Sequence, residues 1–229
     1  LVSSVAHDLR TPLTSIIGYL GWVRTRTDLD EETRNHYIDI AYQKSLRLEQ
    51  LTNELFGFVK LEHKEMQLHP GKLDLVQLME QMLDEMTPSF VKNELQVEFQ
   101  HSENMIFLDA DGELLARLFG NLLNNAVKYG KEGKQIRVSM EKEGEYVVTR
   151  VVNYGRIIPK QELEHIFRKF YRTEQSRSRD TGGTGLGLAI VQQIAELHHG
   201  QVYVKSDLQG TVFKVELPLQ LTQQEGEKE

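Results

Sequence analysis

Cysteine is absent from the 229 residues of this chain. That excludes disulfides, a cysteine nucleophile and thiolate metal sites, and it permits a reducing compartment without requiring one. No apolar run approaches the roughly 18 residues that a membrane-spanning helix needs. Positive charge is in the minority, 27 Lys and Arg against 34 Asp and Glu, and a net charge of −7 gives no bulk reason to expect nucleic acid as a partner. Proline is scarce, at five residues, so each one punctuates, and Pro12 does so inside a helical pattern. What is present, 39% hydrophobic and 27% charged residues, is a globular balance, enough for one ordinary domain and a smaller one. The first residue, Leu1, is not methionine and already lies within that pattern, so the chain reads as a piece whose upstream part is missing.

Two parts follow from the periodicity. Val2, Val5, Leu9, Leu13, Ile16, Ile17, Leu20 and Val23 form one helical stripe ending near Thr25. "TDLDEE", 27–32, offers Asp28 and Asp30 as caps for a second helix reaching about His63, with Ile40, Leu48, Leu51, Leu55, Phe58 and Leu61 on its stripe. A lone hairpin cannot cover both stripes, whereas two copies forming a four-helix bundle would. Pro70 and Gly71 punctuate the chain, and the pattern then becomes mixed. Helices are expected over 73–86, 111–129 and 185–198, and strands over 95–99, 136–140, 146–152, 201–206 and 211–217. The fold class is α+β: a dimeric antiparallel hairpin (1–66), then an α/β sandwich with helices on one side of a mixed sheet (67–219), then a polar tail (220–229).

Four further patches carry chemistry. In "TGGTGLGLAI", 181–190, glycines precede a helix, and backbone amides aimed from a helix N-terminus suit phosphate oxygens. The string is neither a dinucleotide fingerprint nor a P-loop, since it follows a polar segment and no Lys-Ser/Thr follows it. In "NLLNNAVKYG", 121–130, Asn121 and Asn125 share one helix face, and their amide oxygens are hard ligands suited to Mg2+ beside phosphates. Lys128 offers a cation there. In "FRKFYRTEQSRSRDTGG", 167–183, two phenylalanines would clip a lid to the core while Arg172, Arg177 and Arg179 reach a triphosphate. The fourth patch, "NYGRIIP", 153–159, follows a strand.

With the opening "HDLRTPLTSIIGYL", these patches resemble, in their order along the chain, the H, N, G1, F and G2 boxes of sensor histidine kinases. The resemblance implies an ATP-binding domain of the fold shared with gyrase, Hsp90 and MutL, tethered to a dimeric bundle. It implies that His7 accepts the γ-phosphoryl group of ATP, that Asp8 orients and deprotonates the imidazole, and that Thr11 orients water for dephosphorylating a partner. Asn125 would hold Mg2+ with Asn121 near it, and Lys128 and Tyr129 would meet the nucleotide. Arg172 and the residues Gly183, Thr184, Gly185, Leu186 and Gly187 would surround the phosphates. It further implies a response regulator receiver domain as partner, seated near Ile16, Ile17 and Leu20, no nucleic acid, and a membrane sensor of which this is the cytoplasmic portion.

Chemistry agrees with the first of these roles. A neutral imidazole is a competent nucleophile near pH 7, and a carboxylate beside it can fix its tautomer. Pro12 removes the amide that would bond the Asp8 carbonyl, which should let the helix bend below His7. The other seven histidines, at 36, 63, 69, 101, 165, 198 and 199, carry no such neighbourhood. One patch departs from the family. Its usual D-x-G-x-G is Asn153, Gly155 and Ile157 here, so a charged acceptor for the adenine amino group becomes a neutral amide. The asparagine form resembles VanS-type sensor kinases. It also leaves open a second reading, a phosphatase or scaffold of a two-component system that binds nucleotide weakly.

Overall fold

The computed structural model describes residues 2–62, 68–173 and 184–221. Helix α1, Val2–Thr25, and helix α2, Glu31–Glu62, form the expected hairpin. Of the two candidate caps, Asp30 serves: its carboxylate accepts from the Thr33 amide at 2.7 Å and the Thr33 hydroxyl at 2.9 Å. Near the turn, Tyr19, Trp22 and Tyr37 pack with ring centroids 5.5–6.3 Å apart. Pro12 does not end α1, which runs through it unbroken with the ring buried. The Thr11 hydroxyl donates to the His7 carbonyl at 3.0 Å, a side-chain bond in the turn that the proline weakens.

The second part is a five-stranded sheet of order β2-β4-β5-β7-β6, formed by Gln96–His101 (β2), Gln135–Glu143 (β4), Tyr146–Asn153 (β5), Gln201–Asp207 (β6) and Gly210–Pro218 (β7). Only β2 and β4 run parallel, so the sheet is mixed, as expected. Helices α3 (Leu75–Lys92), α4 (Gly112–Gly130) and α6 (Gly187–Leu197) supply the opposite layer, and a single turn, α5, spans Lys160–Leu163. On α4 the pairs Leu114/Leu115, Leu118/Phe119, Leu122/Leu123 and Ala126/Val127 recur every four residues and are buried. They meet Ile136, Val138 and Met140 of β4 and Val215 and Leu217 of β7 in one core.

Two short strands were not expected. Gly71–Asp74 (β1) pairs antiparallel with Phe107–Ala110 (β3). The helix expected from residue 73 therefore begins at Leu75, where Asp74 caps it by accepting from the Val76 amide at 3.1 Å, and it continues through Pro88 to Lys92. Asp111 caps α4 in the same way, through the Glu113 and Leu114 amides. His198, expected to be unremarkable at a helix end, proves to be a core residue, 1% exposed. Its Nε2 accepts from the Asp111 amide at 3.0 Å, which makes Nδ1 the protonated nitrogen, 2.8 Å from the Ile194 carbonyl. Burial holds its pKa below the usual 6.5.

Candidate active site

His7 stands exposed on α1, with Nδ1 3.4 Å from Asp8 Oδ1. That contact assigns the carboxylate to Nδ1 and leaves Nε2 as the nitrogen without it. On the opposing helix of the hairpin, Leu51 and Leu55 of α2 share a small cleft with Asp8, Leu9, Phe170, Thr184 and Leu186. The histidine-bearing helix therefore touches the α/β domain at the segment that opens α6.

Beside this contact lies a cavity of about 530 Å³. Its walls bring together Asn121, Asn125, Lys128 and Tyr129 of α4, Asn153 and Ile157, Arg172, and Thr184, Gly185 and Gly187. Stretches up to 66 residues apart in sequence thus converge as the motifs required. The floor is polar and buried. Asn153 is 4% exposed and Thr211, its register partner on β7, is 3% exposed. The Thr211 hydroxyl lies 2.7 Å from Ser206 Oγ, which also accepts from the Ile158 amide at 2.9 Å. Lys128 Nζ sits 4.9 Å from the centre of the half-exposed Tyr129 ring.

The glycines act by close approach more than by flexibility. A Cβ on Gly155 would fall 2.1 Å from the Tyr129 carbonyl oxygen, which locks the 153–159 stretch against α4. A Cβ on Gly187 would meet Asn121 Oδ1 at 2.9 Å, so that amide faces the very start of α6. Gly185 takes φ +71°, a left-handed conformation in which its carbonyl accepts from the Phe170 amide at 3.0 Å. Phe167 and Phe170 pack against the core as expected, Phe167 edge-on to Phe213, and residues 174–183 of the segment that follows lie outside the described residues. Leu186 turns its side chain into the core, not the cavity. Gly183, Arg177 and Arg179 lie outside the described residues.

Among the contributors that sequence reasoning missed are Thr211 on the floor and Arg47, Gln50 and Glu54 of α2, which form part of the same cavity wall. Gln50 accepts from Arg47 at 2.8 Å and donates to Glu54 at 3.0 Å, and Glu54 accepts from the Thr184 hydroxyl at 2.5 Å. Their spacing of three and four was legible as one helix face, but not what that face meets.

The donor set suits a hard cation held jointly with phosphates. Among the described residues no three His, Cys, Asp or Glu side chains converge, so no all-protein metal cage exists there. Amide oxygens of Asn121 and Asn125 fit Mg2+, which keeps most of its shell for water and phosphate oxygens.

An exposed imidazole–carboxylate pair on a helical hairpin, docked beside a nucleotide-sized cavity on a mixed sheet, defines a histidine phosphotransfer core. Two family models match the chain accordingly: a His Kinase A (phospho-acceptor) domain over residues 1–64, and a histidine kinase-, DNA gyrase B- and HSP90-like ATPase over residues 110–221. The chain belongs to the sensor histidine kinase family. It is 38% identical over 218 residues to the sensor protein VanS of Enterococcus faecium, covering 95% of this chain and 56% of that one. It is 29% identical to the sensor histidine kinase WalK of Bacillus subtilis (strain 168), covering 98% of this chain and 37% of that one. The chain thus spans little more than half, or less, of these relatives' length. In structure it is similar to histidine kinase ThkA in complex with response regulator protein TrrA, with a TM-score of 0.76 and 26% identity over 95% of this chain and 60% of that one.

Proposed function

We propose that this chain is the catalytic core of an ATP-dependent sensor histidine kinase that phosphorylates itself on His7 and passes the group to an aspartate of a response regulator. The observation that carries it is the placement of an exposed imidazole, paired through Nδ1 with Asp8, on a helix that shares a cleft with the mouth of the cavity.

Nε2 attacks the γ-phosphorus, an N–P bond forms, and the bond to the bridging oxygen of ADP breaks. Asp8 takes the Nδ1 proton as the bond forms, so the phosphorylated ring is left neutral and not as an imidazolium, an assistance worth roughly 10² to 10⁴ in rate. Asn153 accepts from the adenine amino group through its amide oxygen, on a floor where Thr211 offers a second polar group. Lys128 and Arg172 hold phosphate oxygens, and Thr184, Gly185 and Gly187 bring the backbone close to them. Asn125, with Asn121 near it, would hold Mg2+, which when bound neutralises phosphate charge. The Thr11 hydroxyl, spent as a donor on the His7 carbonyl, keeps its lone pairs to accept from a water, which suits removal of phosphate from the regulator.

The hairpin working as a homodimer is supported by large apolar side chains left exposed on both helices, among them Ile17 at 63% and Phe56 at 63%. The regulator as partner is supported by the ThkA complex. Domain limits of 1–66, 67–219 and 220–229, and a cytoplasmic position below a membrane sensor, belong to the same reading. Among the described residues no helix is long and apolar enough to cross a membrane. Asn153 in place of a carboxylate supports a second reading, a phosphatase or scaffold with weak nucleotide affinity.

Incubation with Mg2+ and γ-labelled ATP separates the two. Acid-labile label on the parent chain and none on His7→Ala is expected. No label on a folded, dimeric parent at millimolar ATP would shift the assignment to the second reading.

A further inference from the structure

The helical hairpin does more than carry His7. Arg47, Gln50, Glu54 and Gly57 follow one another on α2 at steps of three, four and three, a single helix face. All four face the α/β domain. The first three form part of the cavity wall, and Glu54 takes the Thr184 hydroxyl. At Gly57 the face is bare, and the Arg117 guanidinium of α4 fills the space where a Cβ would stand, 2.2 Å from it. Burial lowers the Arg117 pKa and Glu54 acts against that, so the acid of this face is matched by a cation from the other domain.

Arg47 is matched differently. Its hydrogen bond goes to a neutral amide, Gln50, and among the described residues no carboxylate pairs with it. By contrast Arg156, also on the wall, is held 3.0 Å from Glu132. Arg47 is therefore a half-buried residue facing a cavity with no carboxylate partner among the described residues. It lies on the wall tied through Gln50 and Glu54 to Thr184, the residue opening the glycine turn, and not on the Asn153–Thr211 floor. The anionic part of a nucleotide is its phosphate chain, and a guanidinium matches phosphate oxygens two at a time.

We propose that Arg47 of the dimerisation helix contacts the nucleotide's phosphates beyond the α-phosphate, so that the nucleotide site is built from both domains and is complete only when α2 is docked against it. This rests on the reading of the cavity as an ATP site. It also gives the nucleotide a reason to draw the α/β domain onto the hairpin that bears His7, since a triphosphate reaching Arg47 bridges the two.

The test is displacement of a fluorescent nucleotide from the full chain by a non-hydrolysable ATP analogue and by AMP, for the parent, Arg47→Ala, Arg47→Lys and Arg34→Ala. Arg34 is an exposed cation on the same helix and controls for the lost charge. Expected are about tenfold weaker binding of the ATP analogue by Arg47→Ala, an intermediate loss for Arg47→Lys, AMP within about twofold throughout, and no change for Arg34→Ala. The proposal is overturned if Arg47→Ala binds the analogue like Arg34→Ala, or if it loses AMP equally, which would mark a structural role. A parent chain that binds no nucleotide defeats the ATP reading and this one with it. A parent that binds normally beside an unaltered Arg47→Ala defeats this one alone.

Discussion

The hairpin and the α/β domain solve the problem of burial in opposite ways. Between them α1 and α2 bury Pro12, Ala41 and Leu51, and leave Leu13, Ile17, Leu20, Trp22, Tyr42 and Phe56 between 45% and 63% exposed. The α/β domain seats Phe119, Leu122, Ile136, Met140, Ile190 and Val215 at 0%. One region has a core of its own. The other has a surface waiting for one, and the histidine stands exposed on the same hairpin. A helix pair held together by association can change its packing with its partners, whereas a jigsaw core resists change. The contrast fits a division of labour in which nucleotide is held rigidly and the acceptor is presented on the adjustable part.

The sharpest way to break the contrast is through the core. Phe119→Ala should destabilise the α/β domain by about 3–5 kcal/mol, read by denaturant unfolding, whereas Leu46→Ala on the exposed face of α2 should cost under about 1 kcal/mol in the same assay. Equal losses would contradict the division. Next in size, Gly155→Ala should cost about 1–3 kcal/mol and weaken nucleotide binding, because the new methyl meets the Tyr129 carbonyl and must displace the 153–159 stretch from α4. Phe56→Asp should leave the α/β domain's unfolding unchanged while lowering dimer affinity by about tenfold or more in sedimentation.

Acid should divide the regions too. The folded pKa of His198 lies below its unfolded value of 6.5, so the unfolded chain binds the proton more tightly. The stabilising contribution is therefore fully present above pH 6.5 and is lost as the pH falls through the folded pKa. Protonating Nε2 also cancels the bond from the Asp111 amide that helps start α4. Stability of the α/β domain measured between pH 7.5 and about 5 should fall with that slope, and His198→Gln should flatten it. The smallest expected effect lies on the floor: Asn153→Asp should tighten nucleotide binding by about two- to tenfold, by making the adenine bond charge-assisted.

Much of this was legible beforehand, for physical reasons that differ by element. Helix α4 declares itself because four buried pairs recur every four residues, and a cap, Asp111, precedes them. The mixed sheet declares itself through strands of alternating burial such as 135–143. Strands β1 and β3 did not, since four residues are too few for a period and their pairing spans more than thirty positions. The cavity residues were legible as a set because their motifs are local strings. The reason for their glycines was not, because a 2.1 Å approach between Gly155 and Tyr129 is a property of packing and leaves no periodic trace. Arg47, Gln50 and Glu54 escaped for a related reason. A polar helix face reads as solvated until the partner surface is known.

The most direct test of the central claim joins the two regions in one experiment: mapping the phosphorylated atom after incubation with Mg2+ and ATP, by phosphorus NMR at alkaline pH and by mass spectrometry. A phosphoramidate on His7 in the parent chain, absent from Asn125→Ala although that variant still folds and dimerises, is the expected result. Phosphate on any other residue, or undiminished phosphate on His7 in Asn125→Ala, would contradict the account.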